Sequence, residues 1–115
     1  MLRNSKLLVV TSPNIAGMEI VQTLGLVTGN AIRARHVGKD ILAVLRAIVG
    51  GEITEYAKLL AESREQALDR MIAKAMMMDA NAVVSVRFNT SVIMGGAAEM
   101  MAYGTAVIAE KQHDQ

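Results

Sequence analysis

The sequence predicts an α+β fold, with two helices packed on one face of a mostly antiparallel sheet in the order β-β-α-α-β-β. Three observations predict it. The stretch "AKLLAESREQALDRMIAKAM", 57 to 76, carries apolar residues at helical spacing. The stretch "AVVSVRFNTSVIM", 82 to 94, alternates with a period of two. Gly95-Gly96 and a second apolar run then follow directly, the pattern of an antiparallel hairpin.

Each element has its own signal. "KLLVVT", 6 to 11, is a short run rich in β-branched residues that stops at Ser12-Pro13-Asn14, a turn sequence. Residues 18 to 35 are strand-like but interrupted by Gly25 and Gly29, so they form one long bent strand or two short ones. "GKDILAVLRAIVGG", 38 to 51, is a short helix with Asp40 as N-cap and Gly50-Gly51 as its stop. Thr54 caps the second helix, which runs to about Met78, and Asp79-Ala80-Asn81 ends it. In 82 to 94, Val84, Val86, Phe88, Val92 and Met94 share one face with Thr90. Ser85, Arg87, Asn89 and Ser91 share the other. The returning strand is 100 to 109, and "EKQHDQ" is a polar tail.

At 115 residues the chain is expected to be one domain, 1–115. Its hydrophobic fraction is 52%, yet its aromatics are only Tyr56, Phe88 and Tyr103. So much aliphatic surface on so small a domain favours self-association. A net charge of +1 without a basic run argues against nucleic acid as a partner. No segment approaches the ~18 apolar residues of a membrane span, and the apolar run near the N-terminus is too short for a signal peptide. A cytoplasmic protein with no membrane partner is the expectation.

One residue breaks the helical pattern. Arg64 falls at the centre of the apolar stripe formed by Tyr56, Ala57, Leu60, Ala67, Leu68, Met71, Ala75 and Met78. A buried guanidinium must be paired, because an unpaired one would cost several kcal/mol. Three readings stand: Arg64 snorkels over apolar neighbours, pairs with a carboxylate across a subunit interface, or reads an anionic ligand. The interface reading is preferred. Arg87, on the polar strand face, poses the same question. Its candidate acids are Glu52, Glu55 and Glu99.

Catalytic and metal chemistry find little footing. The chain has no cysteine, which removes thiolate zinc and iron–sulfur sites within it. Its two histidines, His36 and His113, lack HxH or HExxH spacing. Met76, Met77 and Met78 point three ways around a helix, and Met100 and Met101 point to opposite sheet faces, so they read as packing. No nucleophile has a histidine partner, and "VIMGGAAEM" reads as a turn rather than a phosphate loop. A non-enzymatic protein is expected. The alternative is a small-molecule or anion site, or an enzyme site, at a subunit boundary using Arg64 or Arg87.

"LGLVTG" (24–29), "GGEITEY" (50–56), "SREQALDRM" (63–71), "DANAVVSVRF" (79–88) and "YGTAV" (103–107) follow one another in the order and spacing of the YbjQ family, which the chain resembles over nearly its whole length. The resemblance implies a dodecin-like fold, a ring-shaped homopentamer, and a family label of heavy-metal binding. It therefore names a divalent or heavy metal ion as the candidate ligand. The family pattern matches Arg64, Arg87, Glu99 and Gly104, none with a catalytic role to carry over. With Glu52, the first three are the candidate ligand-binding or interface residues. One departure stands out: where the family has a glycine helix cap, this chain has Asp79, so its helix end is expected to differ slightly.

Overall fold

The computed structural model describes residues 2–3, 7–34, 53–93 and 97–112. Strands β1 (Leu2–Arg3), β2 (Leu7–Val9), β3 (Met18–Ala34), β4 (Ala82–Ile93) and β5 (Ala97–Lys111) form one sheet in the order β1-β2-β4-β5-β3. Helix α1 (Ile53–Met77) packs on it, so the fold is α+β. The sheet is mixed: β2 runs parallel to β4, and the remaining pairings are antiparallel. The helix expected over 38–51 lies outside the described residues, and the described order is β-β-β-α-β-β. The two-residue β1 is an addition that no local pattern in the sequence announces.

β3 is one bent strand. Its register against β5 slips between Ile20 and Gln22 and again between Thr23 and Gly25, each slip adding one residue. Gly25 has φ 137°, a conformation that disfavours a side chain. Two insertions cancel in parity, so Val27, Gly29 and Ala31 all face the helix. Gly29 has a different role. A Cβ there would lie 2.1 Å from the Ala67 carbonyl oxygen and 2.3 Å from the Met71 nitrogen. The helix backbone rests directly on β3 at this point.

β4 corrects the expected alternation. Val84 and Val86 do not share a face. Ser85 has φ 55°, and the register jumps so that Ser85 and Val86 together oppose Gly104. This β-bulge reverses the parity of everything upstream. Val83 and Val86 enter the helix-side core, whereas Ala82 and Val84 join Val107 and Ala109 on the opposite face. The bulge is held from outside the hairpin: Ser85 N–H donates to Ser12 O (3.0 Å) and Val86 N–H to Val10 O (3.1 Å). Gly104 is required opposite it, since a Cβ would sit 2.8 Å from Val83 Cγ1. At the far end of the hairpin Ile93 faces Ala97, which leaves three residues, not two, for the connection. β5 then runs from 97 to 111, longer at both ends than the sequence pattern indicated.

Thr54 lies inside the first turn of α1 rather than at its cap. Ala67, Met71, Ile72 and Ala75 are fully buried against Val27, Ala31, Ala102 and Ala106, and the many alanines let the layers approach closely. At its C-terminus Asp79 has φ 63°. Ala80 N–H donates to Ala75 O (3.1 Å) and Asp79 N–H to Met76 O (3.0 Å). These are the two bonds of a Schellman cap, formed with aspartate in the glycine position. Asn81 then clamps Ala109, donating from Nδ2 to its carbonyl (2.7 Å) and accepting from its N–H at Oδ1 (2.8 Å). That side chain extends the β4–β5 ladder by one step.

Candidate functional site

The register places a set of side chains on the sheet face opposite α1. Arg87, Tyr103 and Thr28 form one row across β4, β5 and β3. Asn89, Met101 and Asn30 form the next, and Ser91, Glu99 and Ile32 the third. No described element covers these rows. The same face is covered nearer β2, where Ile15 packs toward Val84 and Val107. On the open part Leu26 is 71% exposed and Ile32 62%, both flanked by half-buried residues of β5.

Two polar groups on this face are tied down. Asn30 Nδ2 donates to Glu99 Oε2 at 2.8 Å. Arg87 Nη1 donates to Thr11 O at 2.8 Å and to Val86 O at 2.9 Å. Arg87 and Glu99 thus share a face but do not meet. Glu99 lies four residues along β5 from Tyr103, the residue opposite Arg87, which is about 13 Å at ~3.3 Å per residue. Glu52 lies outside the described residues.

Arg64 belongs to the other layer, and it is exposed rather than buried. At that turn the core takes Ser63 instead, 3% exposed, with its hydroxyl donating to Leu59 O at 3.0 Å. The azimuth of Arg64 matches the apolar stripe, but the stripe runs out of cover. α1 lies mainly over β3 and β5 and touches little of β4. Among the described residues, Leu68 on its β4-facing flank lines an open groove of about 490 Å³ with Val9, Val10, Thr11, Ser12, Val86 and Phe88. Arg64, one turn earlier, is not part of that lining and is exposed.

Sequence reasoning missed Asn30 and Arg70. Arg70 Nη1 donates to Asn30 O, which hooks the helix over the outer edge of β3. An asparagine beside a glycine within a strand is a poor strand former, and that misfit was the available signal. Among the described residues no three of His, Cys, Asp and Glu gather closely enough to hold a metal ion. The methionines at the end of α1 diverge: Met77 is 85% exposed, and Met78 packs against the core. Met100 is buried on the helix side while Met101 sits on the open face. No helix among the described residues is long and apolar enough to cross a membrane.

Fold and face together define a class: a small α+β protein with one sheet face packed on a helix and much of the other open. The chain belongs to the YbjQ family, whose profile, described as "Putative heavy-metal-binding", matches residues 7–110. It is 55% identical over 101 residues to a UPF0145 protein of Methanosarcina acetivorans, covering 88% of this chain and 95% of that one. It is 50% identical over 107 residues to a UPF0145 protein of Pyrococcus furiosus, covering 93% and 94%. A crystal structure of a DUF74-family protein of unknown function from Pediococcus pentosaceus shares the fold. Its TM-score is 0.65 at 15% identity, over 90% of this chain and 98% of that one.

Proposed function

We propose that this chain works as a non-enzymatic homo-oligomer of dodecin-like subunits, a ring of five as the family resemblance implies, assembled through the sheet face that carries Arg87, Met101 and Glu99. The observation that carries the reading is the exposure of Leu26 and Ile32 on that face, among half-buried neighbours. Burying such surface against another copy is favourable by roughly 25 cal/mol per Å² of apolar area before the costs of association. The sequence adds an aliphatic content high for its length, and no nucleophile–histidine pairing.

Heavy-metal binding fits one copy poorly. The chain has no thiolate to offer, and its described carboxylates do not converge. Metal binding therefore enters the proposal only as a property of the ring, through side chains that the copies repeat. Native mass spectrometry of untagged protein purified without chelator tests both parts. The expected result is a five-chain species. A monomer at micromolar concentration would overturn the reading, and metal retained in a fixed ratio per ring would add the ion to it.

A further inference from the structure

The open face carries one arginine and one carboxylate among its described residues, Arg87 and Glu99, and each is left half-satisfied. The Nη1 of Arg87 is spent on two backbone carbonyls, Thr11 O and Val86 O, which fixes the guanidinium in place. Its Nη2 and Nε keep three N–H donors, enough for a two-point bond to a carboxylate. The Oε2 of Glu99 accepts from Asn30, which fixes the carboxylate and leaves Oε1 open. The two side chains are about two rows apart, too far to meet within one chain. The other described acids are elsewhere: Glu55, Glu62, Glu65 and Asp69 on α1, Asp79 at its end, and Glu19 and Glu110 on the helix-facing parity of β3 and β5.

We infer that Arg87 of one copy pairs with Glu99 of the next, so that this ion pair sets the register of assembly. The inference rests on the homo-oligomer reading and names its specificity-determining contact. The occupant of the open face is a second copy of this chain, because that face presents both halves of a complementary pair. Each half is held ready by its own subunit, so little side-chain freedom is lost when they meet. A pair at such an interface weakens as salt rises.

Charge reversal tests it, with oligomer mass followed on dilution. Arg87→Glu and Glu99→Arg are each expected to raise the concentration at which the oligomer dissociates by tenfold or more. The double variant is expected to return it to within a few-fold of wild type. Glu99→Gln, which keeps an oxygen for Asn30, covers the case in which a reversal fails to fold. It is expected to weaken assembly and to lose the salt dependence of wild type. Single variants that dissociate like wild type, or a double variant no better than the singles, would overturn the inference and leave the oligomer standing. A wild-type chain that is monomeric throughout would sink both.

Discussion

Asp79 shows how one residue can keep a structure at a cost. The Schellman cap needs a left-handed residue after the helix, a position that favours glycine. In this chain the two capping bonds form regardless, with φ 63° at an aspartate. A side chain in that conformation costs about 1 kcal/mol, and a carboxylate beside a helix C-terminus is unfavourable as well. Asp79→Gly is therefore expected to stabilise the protein by about 1 kcal/mol, less a small entropic loss. That is a rise in Tm of roughly 4 °C at fixed protein concentration. Thermal denaturation checks it, and an unchanged or lower Tm would mean that Asp79 has a compensating contact. The family resemblance flagged the position before the cap was visible.

At the scale of elements, glycines decide where layers touch. Gly29 is set by proximity, since backbone atoms of α1 occupy the space of its missing side chain. Backbone cannot step aside as a flexible side chain can. Gly29→Ala must lift the helix from β3, strain the contact of Arg70 with Asn30, and open the core around Met71. The expected cost is about 3 kcal/mol or more, or loss of the fold. Urea denaturation measures it, and a cost under ~1 kcal/mol would show that the helix is not seated as described. The interruption of the strand pattern at 25 and 29 was legible. Its two causes, a bulge at Gly25 and a close approach at Gly29, were not separable without the helix in place.

At the scale of the whole molecule, what matters is the surface left over. The described sheet is long and its helix covers one face, so the molecule is extended, 62 × 24 × 21 Å. Its radius of gyration is 17.6 Å against about 13 Å for a compact chain of this length. Arg64 belongs to this scale. It holds an apolar azimuth, is exposed, and makes no described hydrogen bond or ion pair within its own chain. A ring gives each copy two neighbours, and the second is expected to meet the α1 side, so Arg64→Leu is expected to leave the helix signal in circular dichroism unchanged and to weaken assembly about tenfold, or ~1.4 kcal/mol. Mass photometry across a dilution series reads it, and a wild-type dissociation curve would return Arg64 to the role of a solvated surface residue.

Periodicity in the sequence determined which residues cooperate locally: the stripe along most of α1, and the alternation of β4 beyond its bulge. These follow from helix and strand geometry, which every short stretch carries in itself. Only the tertiary structure decided which stripe has something to lie against. Ser85 reverses the parity of β4 because the Ser12 carbonyl accepts its N–H and Gly104 makes room for the bulge, and neither is near it in sequence. Arg64 is exposed while Leu68, one turn on, is buried, and Asn30 meets Glu99 because β5 returns to lie beside β3. Burial and pairing are properties of what stands opposite a residue, and that partner is chosen by the packing of the whole chain.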